Sequence, residues 1–160
     1  MRALDRYNLL LALLLALLLW LQQQPLMQPP PLLDIDVSKV SEIRVLKNNR
    51  LQLSFLRDAQ GWMLTHPGVE RADGQRTASL LSLAKAPSLW RTQVNQENLQ
   101  IYGLDSPQLG ISFDQHLVRF GIASTPAGQR YVLVENRIHL IDDSYFRIAS
   151  LPFSHFLEKR

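Results

Sequence analysis

Residues 43–55 read Ile-Arg-Val-Leu-Lys-Asn-Asn-Arg-Leu-Gln-Leu-Ser-Phe, so that polar and apolar side chains alternate on both sides of Asn48-Asn49. Alternation with a period of two places every second side chain on the same face of a β-strand. Two consecutive asparagines tolerate the positive φ angles of a two-residue hairpin turn. The stretch therefore predicts an antiparallel hairpin with one buried face.

The rest of the chain from residue 41 repeats this pattern around short helices. A turn at 58–61 leads to a third strand, Asp73 is placed as the N-cap of a helix that Pro87 ends, and a strand follows at 89–94. Gly103 has the position of a left-handed C-terminal residue after a short helix that begins at Asn95. Further strands are predicted at 109–113, 117–121, 130–134 and 137–141. The predicted fold class is α+β, with antiparallel β meanders and hairpins and two or three short helices.

The N-terminus carries the strongest apolar signal. Residues 9–21 contain only Leu, Ala and Trp, and basic Arg2 and Arg6 precede them. This run is about 20 Å long as a helix, and Tyr7 and Trp20 extend it into the interfacial layers of a bilayer. No small-residue cleavage site follows it. We therefore expect residues 1–21 to be an uncleaved single-span anchor that contacts lipid through residues 7–21.

The positive-inside rule places the N-terminus of such an anchor in the cytoplasm and exports the remainder of the chain. The expected location is the bacterial inner membrane, with the C-terminal part in the periplasm. Residues 22–40 are rich in Gln and Pro and predict an extended stalk, of which twelve residues would reach on the order of 35 Å. Residues 41–160 are the predicted exported domain.

Composition and spacing exclude several kinds of site. The chain has no cysteine, which excludes disulfides, thiolate zinc sites and a cysteine nucleophile. Its net charge of +3 comes from dispersed arginines, which is not typical of a nucleic-acid-binding surface. None of the four histidines has metal-site spacing, and His139, between Ile138 and Leu140, is expected to face solvent. Asp142-Asp143 is interpreted as the cap of the helix that follows. The sequence thus predicts no catalytic residues, metal or cofactor.

Short motifs follow one another along residues 41–141, namely Gly61-Trp62, Ala72-Asp73, Leu80-Leu81, Leu99 with Tyr102-Gly103-Leu104-Asp105 and Pro107, Phe120-Gly121 and Arg130-Tyr131-Val132. Together they resemble the motifs of the bacterial family labelled domain of unknown function 4340. The motifs occur in that family's order, and Tyr-Gly-Leu-Asp-x-Pro at 102–107 is the most specific of them. The resemblance implies a single N-terminal span, an exported α/β domain and, for some members, association with ABC-type exporters. It implies no catalytic residues. The residues that carry the motifs, interpreted as structural, include Trp62, Asp73, Tyr102, Gly103, Leu104, Asp105, Pro107, Gly121 and Tyr131.

Three functions from different classes remain open at this point. The first is a non-catalytic accessory domain that docks on a membrane or envelope complex, such as an ABC-type exporter. The second is a carrier of a lipid or another apolar ligand between sheet and helices. The third is a hydrolase of envelope polymers, which the missing catalytic motifs disfavour. For the first, an open sheet edge or the apolar tail is the expected contact surface, and the candidate tail residues are Tyr145, Phe146, Phe153 and Phe156.

Overall fold

The computed structural model describes residues 3–22, 29–124 and 128–158 of this chain. It begins with helix α1, Ala3–Gln22, whose large apolar side chains from Tyr7 to Trp20, where described, keep 53% to 71% of their surface exposed. No helix in the described ranges has both the length and the apolar character needed to cross a bilayer. Arg2 and the first half of the predicted stalk, residues 23–28, lie outside the described residues.

Nine strands form one antiparallel sheet in the order β4-β3-β2-β1-β6-β7-β8-β9-β5. Two meanders, β1 to β4 and β6 to β9, meet where β1 pairs with β6. The α+β prediction is confirmed, although the two meanders share one continuous sheet. The strands are β1 Glu42–Lys47, β2 Arg50–Asp58, β3 Gly61–His66, β4 Glu70–Arg71, β5 Trp90–Gln93, β6 Leu109–Phe113, β7 His116–Ser124, β8 Gln129–Val134 and β9 Arg137–Asp142.

The predicted first hairpin is confirmed as β1 and β2. Asn48 and Asn49 have φ angles of 50° and 60°, as a two-residue turn of this kind requires. Ile43 lies opposite Phe55 on one neighbour and opposite Phe113 on the other, and all three are fully buried. The alternation in the sequence therefore selects the face of the sheet that becomes the core.

Two helices and two 3₁₀ turns cover this core face. Helix α2, Gly74–Leu81, begins at Asp73, whose carboxylate accepts hydrogen bonds from the amides of Gln75 and Arg76, as predicted. The chain tightens into a 3₁₀ turn at Ser82–Lys85 before it reaches Pro87, so the α-helix ends earlier than predicted. Helix α4, Ser144–Ala149, and a second 3₁₀ turn, Phe153–Phe156, complete the layer.

Residues 29–40 also belong to this layer, which corrects the prediction of a free stalk for this segment. Leu32, Leu33 and Val40 are each at most 4% exposed. The amides of Leu32 and Leu33 donate to the carbonyls of Ala86 and Ala84 at 2.8 and 2.9 Å. An extended backbone can pair with a neighbouring loop as readily as it can project into solvent, and these apolar side chains favour the packed state.

Helix α3, Gln96–Ile101, packs on the opposite face of the sheet, over β8 and β9. Gly103 ends it at a φ of 64°, and the amides of Gly103 and Leu104 donate to the carbonyls of Gln100 and Leu99. This is the predicted left-handed helix end, with Leu104 folded back and 1% exposed. Leu104 packs with Leu133 and Ile138 in a second, smaller core.

We expect Leu33→Ala to lower the free energy of unfolding by about 2–5 kcal/mol, because it removes a fully packed side chain and leaves a cavity. Leu56→Ala is the matched control, since Leu56 is 46% exposed, and it should change stability by about 0.5 kcal/mol. Urea unfolding followed by tryptophan fluorescence measures both. Equal, small effects of the two substitutions would mean that residues 29–40 are not part of the folded domain.

Gly121→Ala tests the contact between the end of α3 and β7. A Cβ atom at Gly121 would lie 2.1 Å from the backbone carbonyl oxygen of Tyr102, so the helix end must shift. We expect a loss of about 1–3 kcal/mol, seen as a lower melting temperature. Gly68→Ala, where a Cβ meets no atom within 4 Å, should leave melting unchanged. A Gly121→Ala variant as stable as the natural chain would contradict this packing.

Candidate functional site

An apolar depression lies where one end of β1, β2 and β6 meets α4 and the loop after it. We call it the apolar groove, and its volume is about 610 Å³. This size falls within the range of sites that hold small ligands or short segments of a partner. Its lining residues are Val45, Lys47, Leu51, Gln52, Leu53, His66, Pro67, Gln108, Leu109, Phe146, Ala149, Ser150, Leu151, Pro152 and Phe153.

The floor of the apolar groove is built by the alternation of the sheet. Val45, Leu53 and Leu109 point to the core face and are between 2% and 6% exposed. At the rim, Leu51 and Phe153 remain 40% and 44% exposed. The groove therefore offers an aliphatic floor and two accessible apolar side chains at its edge, which is the chemistry that an apolar chain or side chain would contact.

Polar side chains complete the rim. Lys47, Gln52, His66 and Gln108 supply hydrogen-bond donors and acceptors, and Lys47 supplies the positive charge. An occupant with polar groups beside an apolar body, such as an extended peptide, can satisfy both kinds of surface.

Phe146, in the wall of the apolar groove, is held by a charged pair. The guanidinium carbon of Arg130 lies 3.6 Å from the centroid of its ring, and Arg130 Nε is 2.5 Å from Asp143 Oδ1. The ring of Phe120 meets Phe146 edge-on at 5.6 Å between centroids. These contacts fix α4 against β7 and β8 and so fix the position of this wall.

The two predicted capping aspartates have different roles. Asp142 Oδ1 accepts from the amide of Ser144 at 2.8 Å, at the start of α4, and hydrogen bonds from Ser144 lower the pKa of Asp142 below its usual value. Asp143 makes no side-chain cap bond but pairs with Arg130. The capping prediction is confirmed for Asp142 and is wrong for Asp143, because the partly buried Arg130 pairs with its carboxylate instead.

The four candidate contact residues of the tail are divided by the fold. Phe146 and Phe153 line the apolar groove, and Tyr145 is partly buried against the main core. Phe156 is fully buried and packs edge-on against Phe55 at 5.6 Å between centroids. The prediction of a surface contact at Phe156 is therefore wrong, since the ring fills the core between the sheet and the last 3₁₀ turn.

The residues of the family motifs occupy structural positions. Trp62 lies in the core at 6% exposure, with the guanidinium of Arg57 4.7 Å from its ring centroid, and Asp73 caps α2. Tyr102 stacks obliquely on Tyr131 at 4.3 Å beside the close contact of Gly103 with β7. Asp105 is exposed in the turn before Pro107 and β6. All nine motif residues are described by the structure, and none lines the apolar groove.

His139 does not face solvent, which corrects the prediction. It is 6% exposed, on the core face of β9, with Nδ1 2.8 Å from Ser88 Oγ. Burial lowers the pKa of His139, and the positive charges of Arg91 and Arg137 lower it further. Because Ile138 and Leu140 are apolar, alternation along β9 predicts a solvated face for His139. Both faces of β9 are covered near its middle, so this prediction is wrong. Across the described ranges, no group of three or more His, Asp or Glu residues is arranged to hold a metal ion.

No protein-family model, curated protein or solved structure matches this chain. The resemblance of residues 41–141 to the family of domain of unknown function 4340 therefore stays a prediction. The floor of the apolar groove was not predicted from the sequence as a site. The residues that line the groove extend from Val45 to Phe153 along the chain, and the one local signal was the aromatic character of the tail.

Proposed function

We propose that this chain is a non-catalytic, membrane-anchored accessory domain that docks on a membrane or envelope complex by holding an apolar segment of a partner protein in the apolar groove. The observation that carries this proposal is the groove itself. Its buried aliphatic floor, exposed Leu51 and Phe153 and polar rim match an extended partner segment that has both side chains and a polar backbone.

The anchoring part of the proposal rests on α1. Each of the described leucines between Leu10 and Leu19 is at least 53% exposed, and these leucines lie on all sides of the helix axis. A helix that lies along a membrane surface needs a polar face, whereas an apolar surface all around favours insertion into lipid. Tyr7 and Trp20 then lie at the two interfaces, with the N-terminus in the cytoplasm and the domain in the periplasm.

The resemblance to the family of domain of unknown function 4340 supports an ABC-type exporter of the bacterial inner membrane as the partner complex. A domain tethered to the same membrane meets such a complex at high effective concentration, so a small groove suffices for docking. Carriage of a lipid or another apolar ligand is the second candidate, favoured by the volume of the groove. In that function the polar rim would face the headgroup and the aliphatic floor the acyl chain.

The absence of natural cysteines permits a direct test of the anchor. A membrane-impermeant maleimide applied to intact spheroplasts should label a single cysteine at Val69, which is 74% exposed in the domain, and should not label one at Ala3 until the cells are lysed. Both variants should remain in the membrane after alkaline carbonate extraction. Labelling of both positions, or release of the chain by carbonate, would contradict an inserted anchor.

A photo-crosslinking amino acid at Phe153 tests the occupant of the apolar groove in cells. We expect an adduct with a membrane or envelope protein that Leu51→Glu abolishes, because a carboxylate at the rim is costly to desolvate. Leu56→Glu is the control. It places the same charge on the opposite face of β2, where Leu56 is 46% exposed, and should leave the adduct intact. An adduct of lipid mass would favour the carrier function instead. No adduct, or one insensitive to Leu51→Glu, would contradict docking in this groove.

A further inference from the structure

A second depression lies at the β5 edge of the sheet, away from the apolar groove. We call it the edge cleft. It has a volume of about 510 Å³ and is enclosed by β5, β9, the turn between β8 and β9, and the packed segment that includes Leu32 and Leu33. The edge cleft differs from the apolar groove in that a buried histidine, His139, is among its lining residues. It shares no lining residue with the apolar groove.

Two arginines flank His139 in the edge cleft. In the register of β5 with β9, Arg91 lies directly opposite His139, and Arg137 lies two residues from His139 on the same face. Within the described ranges, neither guanidinium has a carboxylate within 4.0 Å. Both planar guanidinium groups are therefore available to a ligand. The paired N–H donors of a guanidinium match the oxygens of phosphate and similar anions.

Neutral donors complete the set. The side-chain amides of Gln93, opposite Arg137, and of Asn136, in the turn, line the cleft. Ser88 Oγ engages Nδ1 of His139, so Nε2 is the ring nitrogen left for a ligand. The cleft thereby brings together two arginines, one imidazole and two amides.

The acidic groups of the cleft lie at its margin. Asp34, on the packed segment, and Glu135, in the turn, are both exposed, and partly buried His116 lies at the start of β7. These carboxylates oppose an anion in the outer part of the cleft. Arg91 and Arg137 are also exposed, whereas His139 is buried, so the position that best suits an anion is against His139 and between the two arginines.

We propose that the edge cleft binds a phosphate-type oxyanion carried on an organic group, held by Arg91 and Arg137 with His139 as a third donor. The cleft is much larger than one oxyanion, so the remaining volume accommodates the organic part. Gln93 and Asn136 orient the anion through neutral hydrogen bonds. This site is independent of the docking proposed for the apolar groove.

Two sources of such a ligand are within reach. Eight residues lie between Gln22, at the end of α1, and Pro31 in the wall of the cleft, and a fully extended chain from one to the other spans about 30 Å. A phospholipid headgroup at the surface of the membrane that holds α1 is therefore one source. A soluble phosphorylated compound is the other.

The free cleft and the occupied cleft differ in the protonation of His139. Burial and the two arginines lower the pKa of His139 when the cleft is empty, so the imidazole is neutral at pH 7. An oxyanion beside Nε2 favours the protonated form, and therefore binding strengthens as pH falls from 8 towards 6. The other titratable groups that line the cleft are His116, Asp34 and Glu135.

The test uses the full chain in dodecyl maltoside, a detergent without phosphate, with the histidine side chains observed by ¹⁵N NMR. Sulfate, which does not titrate between pH 6 and 8, should shift the resonances of His139 and raise its pKa. Each of Arg91→Gln and Arg137→Gln should weaken sulfate binding about tenfold. Arg50→Gln, which removes an exposed arginine outside the cleft, should change it by less than about twofold.

The source of the ligand, a phospholipid headgroup or a soluble compound, is distinguished by comparing inorganic phosphate, dioctanoyl phosphatidic acid and dioctanoylglycerol. Tighter binding of the phosphatidic acid than of inorganic phosphate supports a headgroup, equal binding supports a soluble compound, and dioctanoylglycerol should not shift His139. Resonances of His139 that no anion moves, or binding that Arg50→Gln weakens as much as Arg91→Gln does, would overturn the proposal. Leu51→Glu in the apolar groove should leave anion binding intact, so the two proposals fail separately.

Discussion

The pairing of β1 with β6 is the constraint on which the rest of the structure depends, because it turns two local meanders into one nine-stranded sheet. The side chain of one aspartate stabilises the end of β1 at which this pairing begins. Asp114, at a φ of 50° in the turn after β6, accepts from the amides of Ser41 and Glu42 and from the Ser41 hydroxyl. Burial acts to raise the pKa of Asp114, but these hydrogen bonds outweigh it and the pKa is lowered. The contact thus stabilises the fold above the acidic range and weakens as the carboxylate is protonated.

Both candidate sites follow from the joined sheet. The apolar groove has its floor in Val45, Leu53 and Leu109, one from each of three adjacent strands, so it exists only when β1 lies between β2 and β6. The edge cleft forms at the far end of the same sheet, where β5 pairs with β9 and residues 29–40 cross its core face. One layer of short helices cannot cover nine strands, and the two depressions lie where that layer ends. Their different linings, apolar in one and cationic in the other, suit them to different ligands.

Local signals in the sequence predicted local structure well. The turn at Asn48-Asn49, the cap at Asp73 and the helix end at Gly103 each depend on a few adjacent residues, and each is present. The errors concern contacts between distant segments. The composition of residues 22–40 indicates an extended backbone but not whether it packs, and His139 was assigned to the wrong environment because periodicity assumes one solvated face. Neither site is visible in the sequence, since each combines distant segments: the apolar groove needs the pairing of β1 with β6, and the edge cleft needs the pairing of β5 with β9 and the packing of residues 31–35.

An engineered disulfide measures that pairing most directly, because the natural chain has no cysteine to compete. Arg44 and Ser112 lie opposite each other on the face of β1 and β6 that points away from the main core, with Arg44 Nε 3.2 Å from Ser112 Oγ. An Arg44→Cys, Ser112→Cys variant should oxidise to an intramolecular disulfide. The Arg44→Cys, Leu117→Cys variant should not, because Leu117 is one strand further away, about 10 Å from Arg44. A folded protein in which the first pair stays reduced, or in which both pairs oxidise equally, would contradict a single sheet joined at β1 and β6.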